Sequence, residues 1–475
     1  MFGVKLQGRV RHTGPEDERY SVGKTIAYGA QHILTMYGGV IAPPLIVGGA
    51  AGLSGPDMAL LVTAGLFVSG VATLLQTLGL GPVGSKLPIV QGISFATVST
   101  MVTISHSGGL RSVYGAIIVA GLIGLVLSTF VAKLIRYFPA VVTGTIITMI
   151  GLSLLPVAFT WALGNDPHRA GYGSMSNIGL AGLTLLIILV VSRLFQGAIS
   201  RLSILIGLIA GTAIAALMGK TDFSAVGQTK VIALPSILPF GSPTYDIGAI
   251  VSMTIVVLVI MTETVADVIT IGEIIETKVD TRRVAAGIRA DMAASTVAPL
   301  FGSFPCSAFA QNIGLVALTG IKSRFVVATG GGILLLLGFF PIFGAVVAGI
   351  PYPVLGGAGV VLFGTVAASG IRSLARVQFH DNLNMVIVAV AMAFGLIPIA
   401  APTFWDAFPQ WFATIMNAGI TGTAIAAILL NLLFNELRIG NRSGASVFAA
   451  ADDERDAVLG VMEGGGDRLA DEIRD

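Results

Sequence analysis

The sequence predicts an all-α polytopic membrane protein of fourteen transmembrane spans, and three observations predict it. Hydrophobic residues make up 54% of the 475 and charged ones only 11%, with a mean hydropathy of +0.89, a balance that excludes a soluble globular chain. Windows of about 20 apolar residues recur along the chain, the length a helix needs to cross a hydrocarbon core of roughly 30 Å. Of the 27 lysines and arginines, only Arg111, Arg169, Lys220 and Lys230 fall on one side once the spans are laid out. That asymmetry puts both termini in the cytoplasm of a cell inner membrane and requires an even number of spans.

The spans read 24–49, 58–79, 86–106, 111–134, 139–162, 177–195, 201–219, 244–268, 284–304, 306–319, 325–349, 352–371, 382–400 and 410–435. Residues 1–23 form a polar N-tail without the apolar run of a signal peptide, and residues 437–475 a mixed-charge C-tail. The first span carries Gln31, His32 and then Pro43-Pro44, two prolines expected to break its hydrogen-bond ladder and so to place it inside the bundle. The third, K-L-P-I-V-Q-G-I-S-F-A-T-V-S-T, is too polar and too interrupted to face lipid. It reads as an extended piece leading into a half-helix. The tenth is interrupted alike, with Pro305 ahead of Ala308-Phe309-Ala310 where the third has Pro88 ahead of Ser94-Phe95-Ala96.

Phe95 and Phe309 are 214 residues apart, and so are Pro139 and Pro353, which open the fifth and twelfth spans. The repeated offset predicts a duplication. Seven spans per half is odd, so the second copy enters the membrane inverted, and paired broken helices of this kind mark a transporter's binding site. The long outer connection from Lys220 to Asp246 separates the two copies.

Polar residues at membrane depth are the candidate functional groups. Gln311 and Asn312 stand side by side in A-F-A-Q-N-I-G-L-V-A-L-T-G, and buried amides without partners cost several kcal/mol (roughly 2 to 7), so they face protein, water or a ligand. Glu263 and Asp267 share one face of the eighth span at i and i+4, and Asp291 lies in the ninth. Carboxylates at that depth are functional candidates by default. Glu263 is read as functional, Asp267 fits a structural role slightly better, and Asp291 suits a helix-to-helix bond and a coupling role equally. His32 is a proton-handling or helix-orienting group, or a satisfied structural histidine. Phe95 and Phe309 are core packing or a stacking surface for a flat ring. The single cysteine, Cys306, excludes an internal disulfide and a cysteine metal cluster. No P-loop, HExxH or GxSxG occurs, so neither an ATP-driven pump nor a motif-bearing enzyme is expected.

Q-N-I-G-L-V-A-L-T-G, Gln311 to Gly320, resembles the signature of the nucleobase/ascorbate transporters. The resemblance extends to Gln31-His32, to Ser94-Phe95-Ala96, to E-T-x-x-D at Glu263 and Asp267, and to Asp291 twenty residues before Gln311. It implies a seven-plus-seven inverted fold with a core domain (24–137 and 244–349) and a gate domain (138–243 and 350–436), usually dimeric, with no cofactor beyond a coupling proton. It further implies that Glu263 and Gln311 hydrogen-bond the substrate and that Phe95 stacks on it. Backbone near Phe95 and Ala310 would complete the pocket with Ser94 and Asn312, while Asp291, His32 and Asp267 support the site or the coupling. Gln311 suits a purine rather than uracil. Ile313 and Ser94 stand where xanthine-selective members often carry Asn, and these with Lys322-Ser323-Arg324 look like uric acid permeases. Uric acid is therefore the expected substrate, xanthine a second or shared one, and nucleic acid no partner. An anion transporter or channel on the same architecture is the rival expectation; it would need the half-helix N-termini but not Glu263.

Overall fold

The computed structural model describes residues 14–130, 138–379 and 383–437. The predicted ends of spans 4 (131–134) and 13 (382), the N-tail to residue 13 and all but the first residue of the C-tail lie outside them. The protein is mostly helical. Counting helices of eight residues or more, the first half holds α1 (Val22–Ala50), α2 (Gly55–Leu78), α3 (Val98–Leu127), α4 (Ala140–Leu163), α5 (Met175–Leu194) and α6 (Ser203–Leu217). The second holds α7 (Ile247–Ile275), α8 (Thr281–Val297), α9 (Ala310–Thr319), α10 (Arg324–Leu337), α11 (Pro341–Ala348), α12 (Tyr352–Leu374), α13 (Asn384–Ala400), α14 (Gln410–Asn417) and α15 (Gly419–Asn431). Among the described residues, 7 helices are long and apolar enough to cross a membrane, or 9 if each of two bent pairs counts as one span.

Several spans differ from their straight-helix reading. The third and fourth join in one helical stretch that turns at Gly109 (φ 68°, ψ −178°), between the predicted limits 106 and 111. Only glycine adopts that backbone without strain. The eleventh is α10 and α11, bent by 82° where Pro341 starts a new helix, and the fourteenth is α14 and α15, bent by 88° at Ala418. Hydropathy averages over such corners. In α1, by contrast, the helix runs through Pro43 and Pro44 rather than breaking. Every residue from Gly38 to Gly48 is buried, so the carbonyls that the prolines leave unbonded are enclosed by protein and not by lipid.

The two interrupted stretches meet. Strands β1 (Gln91–Ile93) and β2 (Cys306–Ala308) pair antiparallel with Gln91 opposite Ala308, Gly92 opposite Ser307 and Ile93 opposite Cys306. Flanking bonds extend the ladder, Ser94 N to Pro305 O at 2.8 Å and Phe309 N to Val90 O at 3.1 Å. Backbone groups freed by breaking a helix in an apolar interior need partners, and each broken stretch supplies them to the other. All six strand residues are buried. Elsewhere small residues let helices close: α4 and α12, which open on Pro139 and near Pro353, form the most extensive helix pair. Gly356 abuts Ala162, Gly359 abuts Ala158 and Gly144 abuts Leu374 along that seam.

Candidate functional site

From β1 the chain turns at Phe95–Thr97 into α3, and from β2 it turns at Phe309 into α9. The strand pairing therefore brings two helix starts, with their free N–H groups, to the same place. Helix α7, which carries Glu263 and Asp267, packs against β2, α9 and the Phe95–Thr97 turn.

Gln311 and Asn312 part company there. One step along α9 turns a side chain by about 100°, so neighbours look in different directions. Ala310 and Gln311 are exposed at the helix start, and Gln311 makes no hydrogen bond among the described residues. Asn312 is 2% exposed; its Nδ2 donates to the Pro88 carbonyl at 3.0 Å, and its Oδ1 is hydrogen-bonded to His32 Nδ1. Pro88 O accepts only, which fixes which end of the amide is the oxygen. Nδ1 of His32 must then be the donor. The imidazole thus ties α1 to α9 and to the segment before β1, with its tautomer set by that chain of bonds.

The acidic groups also divide. Asp291 of α8 is fully buried and accepts a hydrogen bond from Thr264 of α7, while its other oxygen, Oδ1, has no partner. Gln91 of β1 lies beside it, also fully buried, with neither amide atom in good hydrogen-bond geometry. Glu263 and Asp267 are half-buried and make no hydrogen bond among the described residues. The three carboxyls interact electrostatically. Polar groups without a partner in an apolar interior are rare and mark candidate functional positions. Ser94 is a further case, buried with its Oγ unpartnered.

The two phenylalanines take different roles. Phe309, 4% exposed, is wedged between Gly39 of α1 and Gly92 of β1, where an added Cβ would collide with its ring. Phe95 is only half-buried, 6.2 Å from Phe309 and 6.1 Å from Phe363 of α12 between ring centroids. Phe309 is packing, and Phe95 keeps a face to offer. Gln91 and Thr264 were not singled out from the sequence, although Gln91 carried a signal: an amide in an extended, proline-led stretch. About three turns nearer the start of α7 than Glu263, Thr421 of α15 bonds to Thr100 of α3 at 3.3 Å and to Ser252 of α7 at 3.2 Å. Near it the buried Oδ1 of Asn417 has no partner.

Residues 23–404 match the model described as the permease family. The chain is 38% identical to a xanthine permease of Bacillus subtilis over 88% of its own length and 95% of that protein. It is 35% identical to the uric acid transporter UacT of Escherichia coli over 90% and 89% of the two chains. Among solved structures, the transmembrane domain of the bicarbonate transporter BicA of a cyanobacterium superposes with a TM-score of 0.57 at 16% identity, covering 88% of this chain and 99% of that one. At that identity the likeness is one of fold.

Proposed function

Because this chain belongs to the nucleobase/ascorbate transporter family and is a permease rather than an enzyme, we propose that it imports an oxidised purine, uric acid first and xanthine second or shared, together with a proton. The observation that carries the reading is Gln311: an amide left unspent at the start of α9, on an element packed against the helix that carries Glu263. The names of the relatives, a xanthine permease and a uric acid transporter, support the substrate class.

An oxidised purine presents alternating N–H donors and C=O acceptors on a flat ring. An amide and a carboxyl can each read such an edge through two bonds, and the free face of Phe95 suits the ring. Backbone N–H groups near Phe95 and Ala310 complete the donor set. Asn312 and His32 hold α9 in register. Glu263 takes the coupling proton: protonated, it donates to the substrate and no longer carries a buried charge, so the loaded site moves more cheaply than a half-loaded one. Asp267 and Asp291 tune that proton, and no cofactor is needed. The core (24–137 and 244–349) carries the site past a gate (138–243 and 350–436) in an elevator movement within fourteen spans arranged as inverted halves. A homodimer in the cell inner membrane, both termini cytoplasmic, is the working assembly.

Uptake of radiolabelled uric acid, xanthine and uracil by cells expressing the protein, with and without a protonophore, tests the reading. Uncoupler-sensitive urate or xanthine uptake is the expected result. Uptake of uracil alone would overturn the substrate assignment, and insensitivity to the uncoupler the coupling.

A further inference from the structure

A cavity of about 770 Å³ opens where α1, α8 and α10 begin and α2 ends, and none of Phe95, Glu263 or Gln311 lines it. Five cationic side chains do. Two are occupied: Arg283 Nη2 meets Glu16 at 2.6 Å and Arg324 Nε meets Asp17 at 2.7 Å. Arg283 also donates to the carbonyls of Ser85 at 2.8 Å and Lys86 at 3.0 Å. The other three, Lys86, Arg282 and Arg289, have no carboxylate within 4.0 Å among the described residues. Among the described residues, Arg289 donates only to the Pro82 carbonyl, at 3.3 Å.

A second observation belongs to the same cavity. Ser85 lines the cavity at 2% exposure, and its Oγ has no hydrogen-bond partner. A buried hydroxyl without a partner beside three uncompensated cations is a donor set awaiting an acceptor. Glu16 Oε2, buried and likewise unpartnered, repels an anion seated against Arg283. The occupant therefore sits on the Lys86, Arg282 and Arg289 side.

We propose that this cavity is a binding site for a phosphoryl anion, held by the guanidinium forks of Arg282 and Arg289, the Lys86 ammonium and the Ser85 hydroxyl. Planar guanidinium pairs suit phosphate oxygens better than any other anion-binding side chain. The chemistry is shared by a phospholipid headgroup and by free phosphate. The site is independent of the purine reading: it lies between the connection from α2 to β1 and the first half of α8, and needs nothing from Gln311 or Glu263.

Thermal unfolding of the purified full-length protein in detergent, titrated with phosphatidylglycerol, with phosphatidylcholine and with inorganic phosphate, tests the proposal. A saturable rise in the midpoint with phosphatidylglycerol or with inorganic phosphate, absent with phosphatidylcholine, is the expected result. A response to phosphatidylglycerol alone identifies the lipid headgroup as the source; a response to inorganic phosphate identifies a general phosphoryl site. Replacing two cations, Arg282→Gln with Arg289→Gln, should weaken the apparent affinity about 30-fold, and Ser85→Ala, which keeps every charge, about fivefold. Arg372→Gln on α12, outside the cavity, should change nothing. Failure of both anions to raise the midpoint, or a response undiminished in both cavity variants, would overturn the proposal.

Discussion

Gln311 and Asn312 are adjacent amides with opposite fates, and substitution should separate them. The Gln311 side chain bonds to nothing among the described residues, so Gln311→Ala should leave the unfolding midpoint of the purified protein unchanged while urate uptake falls about 30-fold. Two hydrogen bonds at about 1 kcal/mol each account for that loss. Asn312→Ala strands His32 Nδ1 and the Pro88 carbonyl inside the protein. Each orphaned group costs roughly 1 to 3 kcal/mol, so this variant should lose both transport and several degrees of midpoint. Glu263→Gln should still bind urate in equilibrium dialysis yet fail to concentrate it against a gradient; full uncoupler-sensitive accumulation would remove Glu263 from the coupling. The sequence marked these residues because amides and carboxylates stand out against apolar neighbours. It could not say which of two consecutive side chains turns inward, since that depends on His32 and Pro88, hundreds of residues away along the chain.

Among the elements, the proline-led stretches at Pro88 and Pro305 were legible because each puts a proline ahead of an x-Phe-Ala triplet, with Phe95 and Phe309 at the same 214-residue spacing as Pro139 and Pro353. Their mutual pairing as β1 and β2 was not, because three-residue strands have no periodicity to read. The corner at Pro341 left a visible proline inside a predicted span, whereas the corner at Ala418 left only a glycine after it. Phe309 also became packing only once Gly39 and Gly92 were placed around it. Gly92→Ala should therefore push Phe309 out of its slot and abolish uptake even though alanine is a small, apolar change. Gly109→Ala differs in kind: nothing lies within 4 Å of the added Cβ, and the penalty is the backbone angle of φ +68°. A cost of about 1 to 3 kcal/mol should appear as a lower midpoint, with the substrate preference unaltered.

At the scale of the whole molecule, the cations predict orientation and cysteine labelling checks it. The native Cys306 is buried, which keeps the background low. In intact cells a membrane-impermeant maleimide should label Arg169→Cys and spare Lys278→Cys; the reverse would invert the topology. Composition made the membrane character readable, because it depends on averages and not on which segments touch. Contact between the two halves is the part that no average reports, and it bears on how the protein is made. Ile93 and its partner Cys306 are 213 residues apart, so at about 5 to 20 residues per second β1 leaves the ribosome on the order of 10 to 40 seconds before its partner. For that interval the first broken stretch has nothing to satisfy its amides and carbonyls. Nascent chains must therefore wait with that stretch in water or against the insertion machinery, and the wait ends only when the second half arrives to close it.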